Sequence, residues 1–399
     1  MADRGSAGEV LIVGGGVAAL EALMALHDLA RDRVRLVLVA PDPDFVYRPL
    51  AVAEPFGLGE VRRYPLQRIA GDFGARLVQA GVSALDAPGR RVVLRGGDTM
   101  PYDTLVLAPG ARIVPAFDDA VTFSGPASGP AMRALLDELE QRRVRRIAFV
   151  APSMVGWTLP LYELALLTAR HAAARRLDPN LVLVTPELRP LALFGDAPSA
   201  TAAELLAAAK VEFIGATHVE LADGRVRLFP GGQALDVERV VALPLVRGAR
   251  LAGVPAEPDF GFIPVDRHGR VEGLAGVYAA GDATNFPVKQ GGLAAQQADA
   301  VAEHVAARHG VSIEPAPFRP VLRGLLFAGG PNRYLRAEEP GAAATASHAL
   351  WWPPTKIAGR RLAPYLYERE PGARPGPVPE GFADLEVPLE TVDAIPVER

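Results

Sequence analysis

The chain has 399 residues, of which 49% are hydrophobic and 22% charged, so it can bury the cores of two or three domains. Its formal net charge of -4 and the lack of a long lysine and arginine block argue against nucleic acid as a partner. The sequence contains no cysteine, which excludes disulfides, thiolate nucleophiles, cysteine-bound metals and dithiol relays.

The composition also sets expectations for location and metals. Asp3, Arg4 and Glu9 precede the first apolar strand without a hydrophobic run, so we expect no signal peptide and a cytoplasmic location. The most membrane-like stretch, residues 147–162, is interrupted by two prolines and a glycine, which argues against a spanning helix. The seven histidines show no H-x-x-H or H-E-x-x-H spacing, so no metal site is expected.

The first predicted element is a strand over residues 10–13 that runs into Gly14, Gly15 and Gly16 and then into a helix. Glycine at 14 permits a tight turn, glycine at 16 lets the backbone approach a pyrophosphate, and Ala19 is small enough for close helix packing. Glycine-rich turns also close ordinary loops. A turn between an apolar strand and a helix with one apolar face favours a dinucleotide-binding unit instead.

A second buried strand, residues 34–39, leads to the position where a dinucleotide fold usually carries an acid for the adenosine ribose. That position is Ala40 here. Asp42 follows two residues later, and whether it substitutes for the acid stays open. A further strand at 102–107 ends in the small residues 108–111, which would let a nucleotide lie close to the backbone.

A cluster of serine, glycine and proline at residues 124–130 indicates a crossover into a second, smaller α/β unit. This unit opens with another strand, turn and helix pattern, in which Ala151 and Ser153 stand in place of glycines and only Gly156 is kept. Pro152 removes an amide donor from the same turn. NAD(P)H binding to the second unit is therefore left open, with a retained scaffold as the alternative.

The chain then returns to the first unit through a strand that ends in Gly281 and Asp282. A long helix opens at Gly291 and Gly292, shortly after Lys289. The alternatives to a cofactor role are a capping or turn carboxylate for Asp282 and a solvated cation for Lys289.

These patterns predict an α/β fold of two Rossmann-like dinucleotide-binding domains, the second inserted in the first, with a C-terminal covering segment. The first domain comprises residues 1–125 and 237–314, and the second comprises residues 126–236. Residues 315–370 form the covering segment, and residues 371–399 form a loose, proline-rich tail.

Aromatic and basic residues in the covering segment allow two interpretations. They would form either an amphipathic face for peripheral contact with the inner face of a membrane, or an aromatic cover over the cofactor pocket. The residues concerned are Trp351, Trp352, Lys356, Arg360 and Arg361.

Together these motifs resemble those of the two-dinucleotide-domain, FAD-dependent pyridine nucleotide oxidoreductases, most closely the branch that contains sulfide:quinone reductases and type II NADH dehydrogenases. The resemblance covers residues 9–310 and implies FAD bound to the first, split domain. It depends on three motifs in this order: Gly14-x-Gly16-x-x-Ala19, the strand from Tyr102 that ends in Ala108-Pro109-Gly110, and Tyr278-Ala279-Ala280-Gly281-Asp282.

The resemblance implies roles for individual residues. Gly14 and Gly16 would contact the pyrophosphate, and Asp282 would bind the ribityl or pyrophosphate portion. The helix at Gly291 would direct its amides at the pyrimidine edge of the flavin, and Lys289 is a tentative cation that tunes the flavin chemistry. The cofactor-binding residues expected in all are Gly14, Gly15, Gly16, Ala19, Arg48, Pro49, Val82, Ala108, Gly110, Gly281, Asp282, Gly291 and Gly292.

These observations predict an enzyme, a FAD-dependent oxidoreductase that passes electrons through the flavin between a small-molecule donor and an acceptor, with a quinone as the expected acceptor. Sulfide oxidation and disulfide reduction in the family use cysteines, so this chain cannot perform them by that mechanism. The alternative is a redox-inactive flavin- or nucleotide-binding protein that keeps the fold, favoured by Ala40 and the altered second turn. The donor and the oligomeric state, a dimer being one arrangement, are left open.

Overall fold

The computed structural model describes residues 7–222, 225–337 and 343–370. The predicted tail at 371–399 lies outside the described residues.

The elements follow one another along the chain with these bounds. The strands up to the crossover are β1 (Gly8–Val13), β2 (Val34–Ala40), β3 (Asp44–Tyr47), β4 (Arg62–Pro65), β5 (Arg76–Gln79), β6 (Val82–Asp86), β7 (Arg91–Leu94), β8 (Thr99–Pro101), β9 (Thr104–Leu107) and β10 (Ala111–Val114). The strands of the middle part are β11 (Val121–Thr122), β12 (Arg146–Val150), β13 (Asn180–Val184), β14 (Val211–Ile214), β15 (His218–Ala222), β16 (Arg225–Phe229), β17 (Gln233–Leu235), β18 (Arg239–Ala242) and β19 (Leu245–Gly248). The last strands are β20 (Val277–Ala279), β21 (Leu322–Leu326), β22 (Arg333–Ala337) and β23 (Ala343–Ala346). The helices are α1 (Val17–Ala30), α2 (Leu66–Asp72), α3 (Gly129–Glu140), α4 (Leu159–Ala174), α5 (Asp196–Ala208), α6 (Gly291–Arg308) and α7 (Leu362–Tyr367).

The first domain is built on a parallel sheet of five strands in the order β20-β9-β1-β2-β5. Side chains alternate across a strand, so Val10 and Ile12 of β1 pack against α1 and α6, whereas Leu11 and Val13 pack toward the antiparallel meander β6–β8. Both faces of β1 are therefore covered, which explains its uninterrupted apolar sequence. Because β1, β9 and β20 are parallel neighbours, their carboxyl ends meet at one edge of the sheet.

The second domain contains a parallel sheet in the order β11-β18-β12-β13-β14. Strands β11 and β18 belong to this sheet, although the sequence pattern assigns their residues to the first domain. Strand β18 pairs directly with β12 of the second domain, and β11 pairs in turn with β18. Both strands are therefore hydrogen-bonded into the second sheet. An antiparallel ribbon of β10 and β19 joins the two domains.

The covering segment begins with the antiparallel sheet β21-β22-β23 and ends with α7. Leu326 and Leu335 pack into the core of the second domain, and Ile357 and Leu362 pack into the core of the first. The segment therefore bridges both domains. In the described part of the chain, no helix combines the length and the apolar character that crossing a bilayer requires.

Candidate cofactor site

Two glycines shape the turn after β1, and the lack of a side chain has a different effect at each position. Gly14 has φ +131°, and a Cβ there would stand 2.1 Å from the carbonyl oxygen of Ala108 at the end of β9, so no larger residue fits. A Cβ on Gly16 would meet no protein atom within 4 Å. Packing does not require glycine at 16, and the open space beside it lets a ligand approach the backbone.

The start of α1 offers amides to that same space. Gly16 is the N-cap of this 14-residue helix and provides no side-chain acceptor for its first turn. A Cβ on Gly15 would lie 2.8 Å from the Leu66 side chain and 3.2 Å from the Cβ of Ala40, so Gly15 keeps the turn close to the core. Ala19 is fully buried in the helix. The turn therefore fits a pyrophosphate group held at a helix N-terminus.

The end of β20 lies directly beside this helix start. Gly281 has φ +76°, and a Cβ there would stand 2.9 Å from the Cβ of Ala18. Its amide donates to Gln297 Oε1 at 2.7 Å, and Thr284 Oγ1 donates to the same oxygen at 3.2 Å. These bonds hold the loop that carries Asp282 against α6, and the close approach of Gly281 to Ala18 places the loop beside α1.

The structure brings Asp282 together with two other predicted site residues, Lys289 and Arg48. Burial raises the pKa of its carboxyl group, and the positive charges of Lys289 and Arg48 oppose that rise. Arg48 itself is exposed and begins the 3-10 helix Arg48–Val52, with Pro49 as its second residue. The carboxylate therefore faces a positive environment contributed by two separate segments.

Lys289 is not a solvated cation at a helix entrance, which was the alternative interpretation. Its ammonium group donates to the carbonyl oxygen of Thr284 and lies 3.6 Å from the centre of the Phe262 ring. Burial lowers the pKa of Lys289 to about 8, against the opposing effect of Asp282 and Glu257. Its role in tuning a flavin stays a prediction.

The start of α6 is capped by a side chain that the sequence interpretation missed. Gln290 Oε1 accepts from the amide of Leu293 at 2.8 Å, and its Nε2 donates to the carbonyl of Arg323 in β21 at 3.1 Å. Among the described residues, no side chain accepts from the amides of Gly291 and Gly292. A glutamine just before a Gly-Gly helix start was the available signal.

The other predicted cofactor-binding residues include Ala108, Gly110 and Val82, and Ala40 stands where the ribose acid was expected. Ala108 follows β9 next to Gly14, and Gly110 has φ +73° with no protein atom within 4 Å of a Cβ built there. Val82 begins β6, outside the five-stranded sheet. Ala40 is fully buried, and Asp42 is exposed. Contact of these residues with a cofactor stays a prediction.

The second turn differs from the tight glycine turn that its spacing suggests. Helix α4 begins only at Leu159, after an irregular loop at 151–158, whereas α1 follows Gly16 directly. A Cβ on Gly156 would stand 2.5 Å from the carbonyl oxygen of Pro287, so this glycine serves contact between the domains. The spacing misleads because it cannot distinguish a phosphate turn from a close backbone contact.

Glu187, three residues after the last residue of β13, is the first acidic residue that follows this strand, and it is used internally. Tyr162 donates its hydroxyl to Glu187 Oε2 at 2.8 Å, and Thr185 Oγ1 donates to the same oxygen at 3.2 Å. Burial raises the pKa of the Glu187 carboxyl group, and these hydrogen bonds oppose the rise. The side chain is therefore committed to the core of the second domain.

The covering segment is fixed by a buried ion pair. Lys356 Nζ lies 2.5 and 2.7 Å from the carboxylate oxygens of Glu163 on α4, and the two side chains are 8% and 1% exposed. Trp351 is also buried, and its indole donates to the carbonyl of Thr355 at 2.9 Å. Lys356 and Trp351 consequently cannot belong to a membrane-facing surface, because hydrophobic burial and the carboxylate partner hold them inside.

The end of the covering segment is held by a second set of carboxylates. The backbone amides of Arg361 and Leu362 donate to the buried carboxylate of Glu21 at 2.6 and 3.0 Å. The Arg361 guanidinium contacts Asp299 at 2.6 Å and Asp28 at 2.9 Å. Burial and the charge of Glu21 raise the pKa of Asp299 to about 8. Arg361 is thus also internal and not part of a membrane face.

The sequence and the fold of this chain both match those of known proteins. Residues 8–302 match the model of the family described as pyridine nucleotide-disulphide oxidoreductase. The chain is 30% identical over 322 residues to the ferredoxin–NAD(+) reductase component of the anthranilate 1,2-dioxygenase system of Burkholderia cepacia, covering 70% of this chain and 68% of that protein. It is 28% identical over 303 residues to an NADH dehydrogenase-like protein of Mycobacterium tuberculosis, covering 68% of this chain and 72% of that protein.

A solved structure gives the same result for the fold. The sulfide:quinone oxidoreductase of Aquifex aeolicus superposes with a TM-score of 0.78 at 18% identity, covering 86% of this chain and 87% of that chain. The predicted α/β fold and the predicted oxidoreductase of the flavoprotein type are confirmed by these matches. The chain belongs to the pyridine nucleotide-disulphide oxidoreductase family.

Proposed function

We propose that the chain is a FAD-dependent oxidoreductase that passes electrons through the flavin between a small-molecule donor and a quinone, without a cysteine relay. The main observation that supports this proposal is that three features suited to ligand binding lie together at one edge of the first sheet. They are the open turn at Gly16, the loop with Asp282, and the glycine start of α6.

Each feature has a distinct task toward FAD. The amides at the start of α1 would hold the pyrophosphate, and the Asp282 carboxylate would accept hydrogen bonds from hydroxyl groups of the ribityl chain. The amides of Gly291 and Gly292 would stabilise negative charge at the pyrimidine edge. Bound FAD supplies the ability to take up two electrons, which none of the protein side chains has.

The donor is proposed to be a compound other than NAD(P)H. The loop at 151–158 has a proline in its first part and holds Gly156 against Pro287. Glu187, the first acidic residue after β13, is already bonded to Tyr162 and Thr185. Since the described part of the second domain has neither a free carboxylate at the end of β13 nor a tight phosphate turn, we infer that this domain serves as a scaffold.

A quinone acceptor is supported by the groups near the start of α6. Reduction of a quinone to a quinol consumes protons as well as electrons, so a proton-carrying group close to the site is needed. Glu163 and Lys356 are titratable and buried, and Lys356 precedes Ile357, whose side chain would lie 3.0 Å from a Cβ on Gly291. Lys356 is therefore one residue away in sequence from a side chain that packs on the start of the helix that would face the flavin.

The test is anaerobic flavin absorbance of the purified protein, first with NADH and NADPH as reductants and then with decylubiquinone added to flavin reduced by stoichiometric dithionite. We expect bound FAD that either nucleotide reduces only slowly and that, once reduced, is rapidly reoxidised by decylubiquinone. A colourless protein that takes up no FAD would support the redox-inactive alternative. Reduced flavin that decylubiquinone does not reoxidise would refute the quinone assignment.

A further inference from the structure

A cavity of about 600 Å³ lies between the hairpin β3–β4, strand β10 and the crossover into the second domain. Two arginines, Arg48 and Arg63, are its charged lining residues. Val46, Ile113 and Pro115 contribute apolar surface, and Ser124 adds a hydroxyl group. The cavity thus combines a cationic part with an apolar wall.

Because side chains alternate between the two faces of the hairpin, both arginines point into the cavity. Phe45 and Tyr47 are buried in the first core, so Val46 and Arg48 point to the opposite face. The register pairs Val46 directly with Arg63 on β4, and directly paired residues lie on the same face. Arg48 and Arg63 therefore come to one side of the hairpin.

The guanidinium groups on this face are not occupied by direct ion pairs. Neither Arg48 nor Arg63 forms an ion pair within the described ranges, and no acidic residue lines the cavity, although Asp282 is close enough to interact with the charge of Arg48. Arg62, on the other face of the hairpin, is by contrast paired with Glu370 at 2.6 Å. Guanidinium groups are well suited to bind carboxylates and phosphates, because their planar donor pattern matches two oxygens.

The cavity also adjoins the candidate cofactor site. Arg48 is close enough to Asp282 for its charge to lower the pKa of that carboxyl group. Pro49, which follows it, is one of the expected cofactor-binding residues. A ligand bound at Arg48 would consequently lie next to the site where electrons are exchanged.

We propose that this cavity binds an organic anion with an apolar body. Its carboxylate or phosphate group contacts Arg48 and Arg63, and its apolar part packs on Ile113 and Pro115. Use of this anion as a substrate rests on the proposed function, whereas its binding does not.

The test is isothermal titration calorimetry of the full chain, with its FAD content measured on the same samples. The probes are benzoate, phenyl phosphate and the uncharged benzyl alcohol, so the two anions distinguish a carboxylate site from a phosphate site. Arg63→Gln removes one guanidinium of the cavity. Arg112→Gln is the matched control, because Arg112 is an exposed arginine next to Ile113 that does not line the cavity.

We expect at least one anion to bind the unmodified chain more tightly than benzyl alcohol. Arg63→Gln should weaken that binding by at least about tenfold, the loss typical of a charged hydrogen bond, and Arg112→Gln should not. The proposal is overturned if neither anion binds at millimolar concentration, or if Arg63→Gln binds as tightly as the unmodified chain. It is also overturned if FAD displaces the anion competitively, since the cavity would then be part of the flavin site. Anion binding to a chain without FAD would retain this proposal and reject the proposed function.

Discussion

Lys356 and Glu163 form a buried ion pair between residues 193 positions apart in the sequence. The same carboxylate accepts the amide of Phe327 at 2.8 Å, and the Lys356 ammonium lies 4.1 Å from the centre of the Phe327 ring. Both charges are therefore satisfied by defined partners, as burial of charge requires. The pair ties the covering segment to helix α4 of the second domain.

Removing one member of this pair should be strongly destabilising. Lys356→Met leaves the Glu163 carboxylate buried without a cation, and losses of about 3–5 kcal/mol in the free energy of unfolding are typical of this change. The double variant Glu163→Gln, Lys356→Met should recover much of the loss, because the amide oxygen of glutamine still accepts from Phe327. Urea unfolding of the unmodified chain, the two single variants Lys356→Met and Glu163→Gln, and the double variant measures this, and equal destabilisation of Lys356→Met and the double variant would contradict it.

Gly16→Val should abolish FAD binding without unfolding the protein. A Cβ at this position meets no protein atom within 4 Å, and the backbone of Gly16 is extended, so valine clashes only with the cofactor. Gly14→Val is the contrasting control, since its Cβ would stand 2.1 Å from the Ala108 carbonyl oxygen and should disrupt the fold itself. FAD content and circular dichroism distinguish the two effects. Full FAD occupancy in Gly16→Val would show that this turn is not the cradle.

Reduction of the flavin by NADH and NADPH should stay slow even after the second turn is restored. A variant with glycine at positions 151, 152 and 153 still has Glu187 bonded to Tyr162 and Thr185. Stopped-flow absorbance with both nucleotides provides the measurement. Fast, saturable reduction of the unmodified chain would instead establish the second domain as a nicotinamide nucleotide site.

Stability should fall as the pH rises through neutrality. The raised pKa of Asp299 means that the folded state binds a proton that the unfolded state has already lost, so the free energy of unfolding decreases from about pH 4 to about pH 8. The raised pKa of Glu21 acts with the same sign. Asp299→Asn should flatten this decline, although Glu21 leaves part of it. Unfolding curves at several pH values test this, and an unchanged slope would refute the assignment to Asp299.

Lys289→Met should lower the midpoint potential of bound flavin. Loss of a cation worth about 1 kcal/mol to an anionic reduced flavin corresponds to roughly 20 mV for a two-electron couple. Because Lys289 is largely enclosed by Thr284, Phe262 and Asp282, salt should screen the effect only weakly. Lys289→Arg, which keeps the charge, is the matched control. Dye-equilibration titration that gave equal potentials for all three proteins would leave Lys289 a purely structural role.

Local features of the sequence predicted the strands and helix starts of the first domain, for a physical reason. The open turn at Gly16 and the helix start at Gly291 lie directly before helices α1 and α6, so the local glycine pattern indicates them, although Gly14 itself is required by the distant backbone of Ala108. The second turn was misleading because Gly156 is required by Pro287, a residue of the other domain. A glycine selected by a distant backbone contact looks the same in sequence as one selected by a phosphate.

Buried polar residues were the features that the sequence did not disclose. Gln297 bonds an amide 16 positions away, and Glu21 bonds amides more than 300 positions away. The aromatic and basic neighbours of Lys356 in sequence allow either a membrane-facing surface or a cover over the cofactor pocket, and they do not indicate Glu163 as its partner. Only the arrangement of the covering segment determines that these side chains are inside, and the local pattern does not specify that arrangement.

The long separation between Glu21 and Leu362, 341 positions, has a consequence for how the protein is made. During vectorial synthesis, helix α1 emerges from the ribosome early, but the amides that satisfy its buried carboxylate emerge almost a whole chain later. Glu21 must therefore stay hydrated until the last part of the covering segment arrives, which delays final packing of α1 with α6. The first nucleotide-binding unit to be synthesised is thus among the last to be completed.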